Sequence, residues 1–258
     1  MNRAQSLKAP GAFLLALEGR APWELGATLA SFPLLRGAPR GDGHAVVVFP
    51  GLAASDLSTL ALRAFLAERG YSPNGWQLRF NLGPRGGVLE RSLERVREVR
   101  RASGRKVSLI GWSLGGVYAR EIAKLAPDDV RCVITLATPF TGNPRANNAW
   151  RIYELASGHS LDDLDAIERV RETPPVPTTA LFSRSDGIVA WPCCVQEPER
   201  EAESIEVTAS HIGMGVNPLA WYAIADRLAQ REGHWQPFHR EGWRSLLFRD
   251  PYRARDPG

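Results

Sequence analysis

Residues 107–121 of the chain read VSLIGWSLGGVYARE and contain the signals that decide the fold. The first four residues form a short, mostly apolar run of the kind found in strands buried on both faces of a parallel sheet. From Leu114 onward, the apolar residues follow helical spacing. Between the two lies a G-x-S-x-G pattern at residues 111–115. The stretch therefore predicts a strand, a tight turn that carries Ser113, and a helix.

The same alternation of apolar runs and amphipathic segments continues on both sides of this unit. Residues 45–49, AVVVF, form the first clear run, and residues 139–177 interrupt the alternation before it resumes. The predicted strands are 45–49, 76–80, 106–110, 130–136, 178–182 and 204–208, and the predicted helices are 56–69, 88–101, 114–125 and 218–230. Repeated strand–helix units predict an α/β fold with a doubly wound, mainly parallel sheet.

The composition limits the class of protein and its surroundings. With 258 residues, 44% of them hydrophobic and 23% charged, the chain is long enough for one globular core. No apolar run reaches the roughly 18 residues that span a bilayer. A net charge of +4 without a basic tract gives no indication of nucleic acid as a partner. Three cysteines, two of them adjacent, and the lack of a secretory leader pattern indicate a reducing, cytoplasmic location.

One domain over residues 1–258 is expected, because no long polar linker divides the chain. Within it, residues 142–177 are expected to form a helical cap insertion, and residues 1–43 a helical extension ahead of the first core strand. The extension is expected to cover its apolar residues by packing on the domain or on a second subunit, which leaves the oligomeric state open. The alternative is peripheral contact with a membrane, in which Trp23 and Phe32 enter the lipid interface.

A serine hydroxyl is a weak nucleophile unless a base accepts its proton, and the base needs a third group that orients it. His211 follows a predicted strand and precedes a glycine-rich turn, whereas His44 lies at the opposite end of the first strand. Asp186 likewise comes after a predicted strand. Because the carboxyl ends of parallel strands meet at one edge of a sheet, Ser113, Asp186 and His211 are predicted to lie together. The alternatives are an incidental serine at a helix start, a turn aspartate and a surface histidine.

The chain resembles the α/β-hydrolase superfamily, and within it bacterial esterases and lipases. The resemblance covers about residues 45–230 and is carried by the motifs FPGL, GWSLGG, ITLATPF, SRSDGIV and SHIGMG. The order Ser113, Asp186, His211 is the chain order of the catalytic triad in that superfamily. The resemblance also implies that the backbone N–H groups of Leu114 and Leu52 form the oxyanion hole.

Three apolar residues are candidates for the substrate pocket. Trp112 and Trp191 lie next to the predicted nucleophile and acid loops, and Leu155 belongs to the insertion. The alternative for both tryptophans is burial in the core. The chain contains no H-E-x-x-H, no C-x-x-C and no glycine-rich phosphate loop followed by Lys-Ser or Lys-Thr, so no metal and no cofactor are expected.

These features together predict a serine carboxylic-ester hydrolase, esterase-like or lipase-like, that acts on hydrophobic small-molecule or lipid esters through an acyl-enzyme. Two alternatives stay open. Acyltransferases and thioesterases use the same triad, and an α/β-hydrolase fold without catalysis serves as a binding protein. The presence of all three candidate residues favours an enzyme over a binding protein.

Overall fold

A parallel sheet forms the centre of the molecule. The structure is a computed structural model and describes residues 8–141, 146, 148 and 170–253. Within these residues the strands are β1 Ala45–Phe49, β2 Ser72–Gly75, β3 Val107–Trp112, β4 Val130–Leu136, β5 Thr178–Phe182 and β6 Ala202–Glu206. Their order across the sheet is β2-β1-β3-β4-β5-β6, and every neighbouring pair is parallel. The predicted fold class is therefore confirmed.

Helices cover both faces of this sheet. The described helices are α1 Ala12–Ala16, α2 Ala21–Leu35, α3 Leu60–Glu68, α4 Val88–Ser103, α5 Leu114–Leu125, α6 Pro218–Leu228 and α7 Arg244–Leu247. Short 3₁₀ turns lie at Leu17–Arg20, Asp56–Thr59, Trp191–Cys194 and Met214–Val216. The helix predicted directly after Ser113 is confirmed at both of its ends. It begins at the tight turn and ends at Leu125, and the next residue, Ala126, has a non-helical backbone before Pro127.

The strands divide their side chains between two apolar clusters. Along β1, Val46 and Val48 pack with α3 and α6 on one face of the sheet, whereas Val47 and Phe49 pack with α4 and α5 on the other. All four side chains are fully buried. Burying one such side chain contributes roughly 1.5–3 kcal/mol. This two-sided burial explains why the run AVVVF is continuously apolar, and it holds the carboxyl ends of the strands at one common edge.

The strand predicted at residues 76–80 is wrong. The second strand, β2, ends before Trp76, and Gln77 and Arg79 have left-handed backbone conformations with φ of 64° and 65°. The Asp56 carboxylate accepts the backbone N–H groups of Trp76 and Gln77 at 3.0 and 3.1 Å. These N–H groups close a loop and do not pair with a strand. The apolar signal came from the Trp76 side chain, which is buried under this loop.

The last strand, β6, begins and ends two residues before its predicted limits of 204–208. Its register is set by β5, because Thr178 pairs with Ala202 at one end and Phe182 pairs with Glu206 at the other. A buried carboxylate, Glu203, lies inside the strand at 2.7 Å from Arg227. A search for apolar residues misses the start of a strand whose second residue is a buried glutamate, since the partner that neutralises the charge is distant in sequence.

The two segments outside the predicted core differ in how much of them is described. Most of the predicted cap, including Leu155, lies outside the described residues. The predicted extension is helical in α1 and α2, and α2 packs against α6. It still leaves Phe13, Trp23 and Leu34 strongly exposed, so contact with a membrane or a second subunit stays a prediction. No helix in the described part of the chain has the length and apolar character needed to cross a bilayer.

Candidate active site

Ser113 occupies the sharp turn between β3 and α5. Its backbone has φ 51° and ψ −121°, a conformation that non-glycine residues rarely adopt, and its N–H group donates to the carbonyl of Leu136 at 2.8 Å. Strained backbone of this kind persists only where its surroundings impose it, and it is concentrated at functional sites. The turn removes Ser113 from the plane of the sheet and leaves its side chain partly exposed at the start of α5.

Glycines make this turn sterically possible. A Cβ atom on Gly111 would collide with the backbone of Gly116, and one on Gly115 would collide with the backbone of Phe49 at the end of β1. A Cβ atom on Gly116 would collide with the Thr138 side chain. Packing therefore requires glycine at these three positions. Because they carry no side chains, α5 starts directly against β1 and β4, and Ser113 lies at the edge of the sheet.

The structure brings the three residues predicted for the triad together. His211 Nε2 lies 3.0 Å from Ser113 Oγ, and His211 Nδ1 lies 2.8 Å from Asp186 Oδ2. The other Asp186 oxygen accepts the backbone N–H groups of Ile188 and Val189, both at 2.8 Å. Asp186 is 3% exposed and His211 6% exposed. Both oxygens of the buried carboxylate therefore have partners, and its orientation toward the imidazole is fixed.

This arrangement determines what the imidazole can do. Asp186 accepts the Nδ1 proton, so Nε2 carries the lone pair that faces Ser113. Burial lowers the pKa of His211, but the Asp186 charge, the hydrogen bond to Asp186 and the Glu18 charge outweigh it and leave the pKa above its ordinary value. An imidazole with a raised pKa is a stronger base, and it is suited to accept the serine proton.

Two backbone N–H groups near Ser113 are available for an anionic oxygen. Leu114 is the first residue of α5, where an N–H group has no partner within the helix. Gly51 lies so close to Ser113 that a Cβ atom on it would be 3.5 Å from the serine Cβ, and Leu52 is the next residue. Among the described residues, neither the Leu52 N–H nor the Leu114 N–H donates to another protein group. Their assignment to an oxyanion hole stays a prediction.

The two candidate pocket tryptophans have well-defined neighbours. Trp112 donates its indole N–H to the carbonyl of His211 at 3.1 Å and therefore supports the loop that carries the imidazole. Trp191 stacks on Phe182 with ring centroids 5.6 Å apart, and the Arg184 guanidinium lies 4.0 Å from its ring centroid. Contact of the Trp112 or Trp191 ring with a substrate stays a prediction.

No three His, Cys, Asp or Glu side chains in the described residues are grouped so that they would bind a metal ion.

The sequence did not predict two features, one beside the proposed triad and one at the opposite edge of the sheet. Glu18 and Glu24, both from the N-terminal extension, bind the loops that carry Asp186 and His211. No local signal marks them, because each resembles any other glutamate on an amphipathic segment. A second Ser–His–Asp arrangement, formed by Ser108 and His44 with a nearby aspartate, lies at the opposite edge of the sheet. The position of His44 before β1 correctly excluded it from the carboxyl edge.

Solved structures similar to this chain share its fold at low sequence identity. Lipase B of Aspergillus fumigatus matches with a TM-score of 0.57 and 17% identity over 74% of this chain, which spans only 54% of that lipase. The monoacylglycerol lipase of Paleococcus ferrophilus matches with a TM-score of 0.53 and 17% identity, covering 74% of this chain and 96% of that one. An alpha/beta superfamily hydrolase of Oenococcus oeni matches at 0.50 and 17%, covering 72% and 91%.

Neither the protein-family models nor the curated protein sequences contain a match to this chain. The assignment of the fold therefore depends on the parallel sheet, the strained turn after β3 and the similarity to solved structures. At 17% identity, this similarity establishes the fold alone. The chain has the fold of the α/β-hydrolase superfamily.

Proposed function

We propose that this protein is a serine hydrolase that cleaves carboxylic esters through an acyl-enzyme. Ser113 is the nucleophile, His211 the general base and Asp186 the residue that orients the base. The observation that carries this proposal is the contact of 3.0 Å between His211 Nε2 and Ser113 Oγ, with the serine on a strained turn at the start of a helix. A nucleophile, an oriented base and helix N–H donors are the components that acyl transfer requires.

The reaction proceeds in two halves. Ser113 Oγ attacks the ester carbonyl carbon while His211 Nε2 takes the hydroxyl proton, and the carbonyl oxygen becomes an anion that the N–H groups of Leu114 and Leu52 stabilise. The C–O bond to the alcohol then breaks, and the imidazolium gives its proton to the departing oxygen. In the second half, His211 Nε2 takes a proton from water while the water oxygen attacks the acyl carbon. The bond between that carbon and Ser113 Oγ then breaks, the imidazolium returns its proton to Oγ, and the carboxylic acid leaves.

Hydrophobic esters are the proposed substrates. Two of the structural neighbours are named as lipases, one of them a monoacylglycerol lipase, which supports an ester with an apolar acyl chain. The apolar residues of the insertion also support such substrates, since a helical cap with Leu155 on its underside would cover an apolar acyl chain.

Replacing Leu155 by Ser should reduce the preference for long acyl chains and leave cleavage of an acetyl ester unchanged. Unaltered chain-length selectivity in folded Leu155→Ser protein would exclude this role.

Labelling with a fluorophosphonate tests the proposal directly, because this reagent reacts readily with an activated serine and not with an ordinary one. The purified wild-type chain should gain one phosphonyl group, and mass spectrometry of its peptides should locate the group on Ser113. Ser113→Ala should remain unlabelled. The matched control is Ser108→Ala, because Ser108 also contacts a histidine. Labelling of this variant should equal that of the wild-type chain. Absence of labelling in folded wild-type protein would leave a non-catalytic binding protein as the better explanation.

Steady-state assays then separate hydrolysis from acyl transfer. A series of esters and thioesters with graded acyl chains is compared in water and in the presence of an alcohol acceptor. The proposal predicts faster release of free acid from esters than from thioesters, and no increase in turnover when the alcohol is added. Preferential formation of a transacylated product would assign the same triad to an acyltransferase.

A further inference from the structure

Glu18 connects the N-terminal extension to both loops of the proposed triad. It lies in the 3₁₀ turn Leu17–Arg20 and is 6% exposed. Its Oε1 atom accepts the backbone N–H groups of Gly187 at 2.7 Å and His211 at 3.0 Å, and its Oε2 atom accepts the N–H group of Ile212 at 2.9 Å. One carboxylate therefore binds the residue after Asp186, the proposed base itself and the residue after the base.

Neighbouring residues of the extension repeat this pattern on the other side of the same loops. Glu24 accepts the backbone N–H group of Ser210 at 2.7 Å and pairs with Arg20 at 2.9 Å. The Arg20 guanidinium in turn donates to the carbonyl and the hydroxyl of Ser185, at 3.0 and 2.7 Å. The polar contacts of the extension thus reach positions 185 and 187 around the acid, and positions 210 and 212 around the base.

The extension approaches the acid loop so closely that only glycine fits at position 187. A Cβ atom on Gly187 would collide with the carbonyl of Leu14. The extension also has an apolar contact with the domain, because Leu35 of α2 is buried in the core cluster on one face of the sheet. A carboxylate is costly to bury unless hydrogen bonds satisfy it, and three N–H groups that converge on one glutamate meet this requirement. The placement of Glu18 is therefore a specific contact with these two loops.

We propose that Glu18 is a positioning residue, which holds the Asp186 loop and the His211 loop at the separation that their mutual hydrogen bond requires. This inference rests on the proposed function, since it concerns the same triad. It makes the N-terminal extension part of the active site, although the extension precedes the first core strand and none of its side chains contacts Ser113 among the described hydrogen bonds. A displacement of about 1 Å in a catalytic group can reduce turnover about 100-fold.

The charge of Glu18 provides a readout that a merely structural contact would not change. Burial lowers the pKa of His211, and the Asp186 and Glu18 charges raise it. Because a general base acts in its neutral form, removal of the Glu18 charge should lower the pKa of His211 and move the acidic limb of the pH–rate profile to lower pH. A contact that only supports the fold would change stability without moving this limb.

The test compares Glu18→Gln with the matched control Glu68→Gln. Glu68 also links the extension to the core, through Arg36 at 3.3 Å, but at the far end of α2. Glu18→Gln should lower kcat by about 10- to 100-fold with little change in KM, and it should lower the pKa of His211 measured by NMR titration. The imidazole resonance is assigned by its loss in His211→Gln. Glu68→Gln should leave kcat, KM and this pKa unchanged.

Glu18→Asp keeps the charge and withdraws it by one methylene group, so it should lower kcat while the pKa of His211 stays closer to the wild-type value. It also serves as the test variant if Glu18→Gln fails to fold in circular dichroism. The proposal is overturned if folded Glu18→Gln protein matches Glu68→Gln in kcat or in the pKa of His211, or if it changes KM alone. Where Glu18→Gln does not fold, a wild-type kcat in Glu18→Asp overturns it. The NMR titration reads the imidazole directly, so it tests Glu18 even where fluorophosphonate labelling of the wild-type chain fails.

Discussion

The two edges of the sheet carry the same three residue types in nearly the same hydrogen-bonded order. At the carboxyl edge, His211 lies 2.8 Å from Asp186 and 3.0 Å from Ser113. At the amino edge, His44 lies 2.6 Å from its aspartate, Asp42, and 2.8 Å from Ser108. Hydrogen-bond distances alone do not distinguish the two arrangements, and the difference between them therefore lies in the backbone and in the surrounding charges.

The backbone decides which serine is accessible. Ser108 lies inside β3 and is fully buried, with the Cys132 thiol donating to its hydroxyl at 3.3 Å. Ser113, five positions later, has left the strand, is partly exposed and is followed by the N-terminus of α5. Of the two serines, only Ser113 is therefore accessible and followed by helix N–H groups of the kind that stabilise an anion. Ser108 fills a polar position within the core.

The charges around the two imidazoles also differ in sign. Burial lowers the pKa of both histidines. At His211 the carboxylates of Asp186 and Glu18 reverse this effect, and the pKa is raised. At His44 the nearby cations Arg131 and Arg105 oppose the Asp42 charge, and the pKa is lowered. The carboxyl edge therefore stabilises an imidazolium, which is what a general base becomes during the reaction, and the amino edge does not.

The largest expected effect comes from removing the accessible serine. Ser113→Ala should reduce kcat/KM for a short-chain p-nitrophenyl ester by about 10⁴-fold or more, because the triad members act as a unit, and His211→Ala should fall in the same range. The control is His44→Ala, which should retain ester hydrolysis while losing stability. Retention of more than about a tenth of the wild-type rate in Ser113→Ala would contradict the mechanism.

Changing the two aspartates sharpens the comparison. Asp186→Asn should lower kcat by about 10³- to 10⁴-fold, because an amide stabilises the imidazolium poorly and permits the wrong tautomer. Asp42→Asn should leave kcat unchanged and lower the unfolding temperature, since Asp42 also pairs with Arg105 and Arg131. Steady-state kinetics and thermal unfolding of both variants measure this contrast. Full activity in Asp186→Asn would assign the acid to another residue.

The pH dependence should distinguish the two histidines in one protein. The rate of ester hydrolysis should fall as the pH drops through the pKa of His211, and this pKa should lie above the ordinary histidine value of about 6.5. The His44 resonance should titrate below that value, because its pKa is lowered. NMR titration of both imidazoles, together with the pH profile of kcat/KM, checks the order. A His44 pKa above that of His211 would contradict the conclusion that the carboxyl edge, and not the amino edge, stabilises an imidazolium.

The smallest effect on activity is expected for Ser108→Ala. This change leaves His44 Nε2 buried without its hydroxyl partner and should lower the free energy of unfolding by about 1–3 kcal/mol. Ester hydrolysis and fluorophosphonate labelling should remain at wild-type levels. Urea denaturation measures the stability, and the labelling assay measures the activity. Loss of labelling in a stably folded Ser108→Ala protein would mean that the two edges are coupled.

Local sequence determined the framework of the proposed site. The alternation of strands and helices predicted a parallel sheet, and a parallel sheet brings the segments after β3, β5 and β6 to one edge. For this reason Ser113, Asp186 and His211 were identified from their positions after predicted strands. The G-x-S-x-G pattern likewise predicted the tight turn, and the structure shows that this turn leaves no room for side chains at Gly111, Gly115 and Gly116.

Only the tertiary structure decided what supports that framework. Glu18 reaches Gly187 and His211 across 169 and 193 positions, and His44 reaches Ser108 across 64. For the same reason, the sequence did not predict that Glu203 lies within β6 beside Arg227, or that Asp56 accepts the backbone N–H group of Trp76. Patterns within a short window report how a segment buries its own apolar residues, whereas the partner of a buried charge is chosen by the packing of distant elements.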